Sequence, residues 1–112
     1  MGASGIMSDV AQDPAMLAAV EDWHIRNRAA LAGAGVVTAL QPASANLAKN
    51  STSIAFETPG RLVEAVVWDS GEAEIISANK REPADPVVRV LSLPAVDDVT
   101  SMLDALRAEL LR

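Results

Sequence analysis

Apolar positions along the chain fall into two helical patterns that bracket a run of strand patterns. Asp13-Pro14 has the form of a helix start: an acid able to cap the first turn, then a proline whose missing N–H has no helical partner to lose. From Pro14 the spacing predicts a helix to about Ala32, stopped at Gly33. Its apolar stripe is narrow and partly polar: Leu17, Val20, Trp23 or His24, Asn27 and Leu31. The second pattern, Val96 to Leu111, sets Val96, Val99, Leu103, Leu106 and Leu110 along one face. Asp97 and Asp98 in its first turn and Arg107 and Arg112 near its end complement the helix dipole.

Between the helices, β-branched and alternating segments predict strands over Gly35–Leu40, Ser51–Glu57, Leu62–Trp68, Ala73–Ala78 and Val87–Leu93, with Pro42 and Pro94 as stops. Thr58-Pro59-Gly60-Arg61 fits a type II turn and Asp69-Ser70-Gly71-Glu72 a second tight turn. Ala43–Asn50 and Lys80–Pro86 are polar or proline-containing loops. A run of strands flanked by helices is the pattern of an α+β two-layer sandwich. The expected fold is therefore an antiparallel sheet of four or five strands, with the N- and C-terminal helices packed on one face. Residues 13–112 form one domain. Met1 to Gln12, small and aperiodic, is expected to be a disordered tail, with Met7 an alternative start.

The two turns fix a register. If Thr58 pairs with Arg61, Phe56 faces Val63 and Ile54 faces Ala65. If Asp69 pairs with Glu72, Val67 faces Glu74 and Ala65 faces Ile76. One sheet face then carries Ile54, Phe56, Val63, Ala65, Val67, Ile76 and Ala78, the natural core under the helices. The other face sets Leu62, Val66, Trp68 and Ile75 in cross-strand contact, with Glu57, Glu64 and Glu72 at its rim. A one-residue slip exchanges faces, because side chains alternate with a period of two. If the register holds and neither helix covers it, the second face is an apolar patch that calls for a partner, foreign or a second copy. The expected partner-binding residues are Leu62, Glu64, Val66, Trp68, Glu72 and Ile75.

Composition narrows the chemistry. Half of the 112 residues are apolar, yet the aromatics are only two Trp and one Phe, so the core is aliphatic. Cysteine is absent and histidine occurs once, which removes disulfides, thiol catalysis, and Cys- or His-cluster metal sites. A net charge of −6 argues against a nucleic-acid partner. No apolar run approaches the roughly 20 residues of a membrane span, so no membrane partner is expected. Glu57, Glu64, Glu72 and Glu74 near the patch suit a basic partner, or serve solubility.

Catalytic constellations are not apparent. Ser70 lacks a Gly-x-Ser-x-Gly elbow. His24 and Asp22 stand two apart on a helix and do not face each other. Gly33-Ala34-Gly35 follows a helix rather than a strand, so it reads as a helix stop and not a dinucleotide loop. No enzyme, cofactor or metal is expected.

The segment Val67-Trp68-Asp69-Ser70-Gly71-Glu72-Ala73-Glu74, preceded by a helix carrying Trp23, Asn27, Arg28 and Leu31, resembles the TriTu immunity proteins of bacterial polymorphic toxin systems. The resemblance spans roughly Pro14 to Leu111. It implies a small cytoplasmic bacterial protein that neutralises a cognate toxin by binding it, without catalysis. The alternative from another class is a secretion chaperone-like dimer, since small acidic α+β proteins can hold an exported client on an exposed sheet or helix face.

Overall fold

The computed structural model describes residues 13–42, 50–81 and 85–112. The order is α1 (Pro14–Gly33), β1 (Val37–Gln41), β2 (Ser51–Glu57), β3 (Arg61–Trp68), β4 (Glu72–Asn79), β5 (Val87–Ser92) and α2 (Val96–Leu110). The strands form one antiparallel five-stranded sheet in chain order. With a helix at each end of the strand series, the fold is α+β. The tail expected over 1–12, most of the loop expected over 43–50 and residues 82–84 lie outside the described residues. No helix among the described residues is long and apolar enough to cross a membrane.

Local chemistry accounts for the helix ends. Asp13 Oδ1 accepts the Ala15 N–H at 3.0 Å and Pro14 opens α1. At the other end Gly35 has φ 87°, Val36 N–H donates to Leu31 O at 2.9 Å, and Gly35 N–H to Ala32 O at 3.0 Å. This is a Schellman closure with its glycine in the left-handed region, and Val36 and Leu31 bury the accompanying apolar contact. The first strand therefore starts at Val37, two residues later than the apolar pattern suggests. In α2, Asp98 Oδ2 accepts the Ala95 N–H at 2.9 Å, closing the first turn.

Both helices cover the face bearing Ile54, Phe56, Val63, Ala65, Val67, Ala73 and Ile75, all buried. The Phe56 ring meets Trp23 of α1 edge-on, centroids 5.9 Å apart, and Leu103 and Leu106 belong to the same core cluster. The helices are clamped by two polar links on successive turns. Trp23 Nε1 donates to Asp104 Oδ1 at 2.8 Å, and Arg107 Nη1 donates to Asn27 Oδ1 at 3.2 Å. Trp23 is only 1% exposed. Asp104→Ala orphans its indole N–H, and we expect a loss of about 1–2 kcal/mol in a urea titration.

The first hairpin keeps the expected register, Phe56 against Val63 and Ile54 against Ala65. Its turn is not type II, because Gly60 does not take a positive φ. Thr58 Oγ1 instead accepts the backbone N–H groups of Gly60 and Arg61 at 3.3 and 3.0 Å. The second hairpin differs from expectation by one residue. Val67 pairs with Ala73 rather than Glu74, and Ala65 with Ile75 rather than Ile76. Gly71, at φ 90°, donates its N–H to Trp68 O at 3.0 Å, so Asp69, Ser70 and Gly71 form a three-residue loop with a left-handed glycine. The odd loop length swaps the faces of β4 relative to the two-residue turn anticipated.

Three assignments change as a result. Ile75, expected on the partner face, is 3% exposed and belongs to the core. Ile76 and Ala78, expected in the core, take the opposite face with Glu72 and Glu74. A Cβ on Gly71 would stand 2.9 Å from Leu93 O in a backbone conformation that L side chains rarely adopt. Gly71→Ala should therefore lower the urea midpoint, with a loss of at least about 1–2 kcal/mol.

Candidate partner-binding face

The helix-free face of the sheet is ordered by its pairings into cross-strand rows. One row runs Val37, Glu57, Leu62, Ala78. The next runs Ala39, Ala55, Glu64, Ile76, Val88, and the third Gln41, Ser53, Val66, Glu74, Val90. Trp68 stands opposite Ser51, and Glu72 opposite Ser92. Leu62, Glu64, Val66, Trp68 and Glu72 thus share the face expected for them. Ile75 does not, and Ile76 occupies the corresponding position on the face.

Charge is arranged differently from a rim. Glu64 lies between Ala55 and Ile76, and Glu74 between Val66 and Val90, so two carboxylates sit within the apolar field on neighbouring strands. They are diagonal cross-strand neighbours. Among the described residues, no strand position of this face carries lysine or arginine. Arg61 and Arg89 both point to the helix side, where Arg61 Nη2 donates to Ser77 Oγ at 3.0 Å and Arg89 pairs with Glu109 at 3.5 Å. Lys80, just past the end of β4, forms an ion pair with Glu57. The face is therefore apolar with embedded negative charge. Leu62 is exposed, and Glu64, Val66, Trp68, Glu74 and Ile76 are half-buried.

The residues that carried the family resemblance divide into two roles. Trp23, Asn27 and Leu31 serve the helix clamp and the core. The β3–β4 turn is tied into the fold: Asp69 O accepts the Asp13 N–H at 2.8 Å, Asp69 N–H donates to Asn50 O at 3.0 Å, and Gly71 O accepts the Leu93 N–H at 2.6 Å. Only its flanks, Trp68 and Glu72, lie on the open face. Sequence reasoning missed Ile76, Val88, Val90 and the central placement of Glu74. The signal that could have found them is a glycine at the third loop position, which favours a three-residue hairpin.

Other polar groups organise the helix side. The Asp69 carboxylate is buried, with Oδ2 accepting from Asn50 N and Nδ2 at 3.3 and 3.4 Å. Asp69 Oδ1, Asn50 Oδ1 and Thr52 Oγ1 have no hydrogen-bond partner among the described residues. A pocket of about 210 Å³ beside Asp69 is bounded by Asp13, Met16, Leu93 and Pro94. Among the described residues no group of three or more His, Cys, Asp or Glu side chains is placed to hold a metal ion. Ser70 Oγ donates to Glu72 Oε1 at 3.0 Å.

His24 Nε2 lies 2.9 Å from Thr38 Oγ1. Burial, reinforced by the Arg28 charge, lowers its pKa below the ordinary 6.5. The fold therefore favours the neutral ring, and the unfolded chain binds the proton first on acidification. This contribution to stability is complete above pH 6.5 and declines as pH falls from there to the lowered value. His24→Gln should remove that part of the slope in unfolding measured across the range.

The chain matches no protein-family model, no curated protein and no solved structure.

Proposed function

We propose that this chain is a non-catalytic binding protein that captures a basic protein surface on its open sheet face, and that it acts as a cytoplasmic immunity protein neutralising a bacterial toxin. The observation that carries this reading is the embedding of Glu64 and Glu74 among Leu62, Val66, Ile76 and Val90, with no basic strand residue on that face among those described. These carboxylates offer ion pairs to a partner's lysines or arginines as the surrounding side chains are buried. Apolar area then supplies affinity, while charge supplies orientation and encounter rate. Neutralisation follows from occupancy alone. The resemblance of the Val67–Glu74 hairpin to the TriTu immunity proteins adds the toxin to this picture.

The test is a titration of the full chain against the protein encoded by the open reading frame adjoining its gene, together with co-expression of the two. Formation of a complex that suppresses that protein's toxicity is the expected result. If the neighbouring product is neither toxic nor bound, the immunity reading fails.

A further inference from the structure

We propose that the end of the β2–β3 ladder under the start of α1 binds one monovalent alkali cation through Asp69 Oδ1, Asn50 Oδ1 and Thr52 Oγ1. All three oxygens are buried, and none has a hydrogen-bond partner among the described residues. Thr52 is 0% exposed and Asp69 5%. A buried polar atom without a partner costs free energy, so such atoms are few in native folds. Several of them at one place mark a bound ion or water.

The ladder sets the three side chains together. Asp69 N–H donates to Asn50 O at 3.0 Å, while Asn50 N and Nδ2 donate to Asp69 Oδ2 at 3.3 and 3.4 Å. The two residues therefore face each other across the strands, and Asp69 Oδ1 and Asn50 Oδ1 are the unused oxygens of a joined pair. Thr52 pairs with buried Val67 and shares the helix side of the sheet. It stands two residues along the strand from Asn50, a repeat of roughly 7 Å that side chains of this length close around one ion.

Chemistry selects the occupant. The ligands are oxygen alone, with no sulfur or imidazole, which suits a hard cation. Asp69 brings one negative charge into the interior, and no lysine or arginine among the described residues pairs with it. A buried charge requires a counter-charge. A water molecule fills the same three contacts but leaves that charge uncompensated, and a divalent ion leaves one positive charge in excess. A monovalent cation balances it. The pocket of about 210 Å³ lined by Asp13, Met16 and Asp69 gives a path from solvent. Because Asp69 O also accepts the Asp13 N–H at 2.8 Å, the ion ties the start of α1 to the β3–β4 turn. The site lies on the helix side and is independent of partner capture on the open face.

The test is the urea midpoint of the full chain as sodium, and in parallel potassium, replaces tetramethylammonium at fixed ionic strength, which holds general screening constant. A saturable rise with at least one of the two ions is expected, because a cation bound only by the fold stabilises it by mass action. Asp69→Asn should abolish the rise. Thr52→Val, which keeps the side-chain shape, should weaken it and serves as the check if Asp69→Asn does not fold. Midpoints that respond to neither ion overturn the proposal, as does a rise that both variants retain. A rise with calcium alone, at the same ionic strength, overturns the assignment of a monovalent ion.

Discussion

Phe56→Ala is expected to lower the unfolding free energy by about 3–5 kcal/mol, the range for truncating a large aromatic in a packed core. Phe56 has no exposed surface and meets Trp23 edge-on with ring centroids 5.9 Å apart. Strands β1 and β3 flank it through Thr38 and Val63, so the cavity is enclosed within the sheet layer as well as beneath the helix. The aromatic pair contributes beyond its buried area, because the positive edge of one ring meets the negative face of the other. Urea titration at pH 7.5 measures the effect while keeping His24 neutral in both states. A loss below about 1 kcal/mol, outside that range, would mean that the core closes over the deletion and that Phe56 does not organise it.

Trp68→Ala is expected to weaken partner binding by about 2 kcal/mol or more, the magnitude typical of an interface anchor. Trp68 ends β3 on the open face, half-buried, in the same strand as Leu62, Glu64 and Val66. Tryptophan suits such a position because it brings a large rigid surface and a donor edge. The fold should survive the change, since the adjoining turn is held by Asp69 and Gly71 backbone bonds. Glu64→Lys should chiefly slow association at low salt, and the difference should shrink above about 0.1 M salt as charges are screened. Titration with the adjoining gene's product measures both, with circular dichroism as the folding control. Full affinity in Trp68→Ala would move the interface off this face, and an unfolded variant would assign the indole to the core.

The α+β pattern was legible because each element carries its own local signal. Asp13-Pro14 starts α1, the period of Val99, Leu103 and Leu106 defines α2, and Thr58-Pro59-Gly60-Arg61 closes a two-residue hairpin. The Phe56–Val63 register followed from that hairpin, because two loop residues leave one pairing. The choice of sheet face in β4 was not legible in the same way. Ala73 to Ala78 holds apolar residues at both parities, so Ile75 and Ile76 compete for the core on equal terms. What decided between them was Gly71. Its left-handed conformation lengthens the turn to three residues, and Leu93 locks it there through the Gly71 carbonyl. That contact joins the β3–β4 turn to the entry of α2, 22 residues on, which no local pattern contains.

The candidate site divides along the same line. Leu62, Glu64, Val66 and Trp68 lie in one strand beside a well-signalled turn, and the sequence alone placed them on a common face. Ile76, Val88, Val90 and Glu74 joined them only through pairings beyond the three-residue loop, where a one-residue shift inverts every side chain. The helix side shows the same split: the sequence placed Phe56 on the core face, and the packing of α1 set Trp23 against it. Local propensity fixed which segments are helix or strand. Which side chains meet was left to contacts between segments far apart in the chain, because periodicity constrains only the residues within one element.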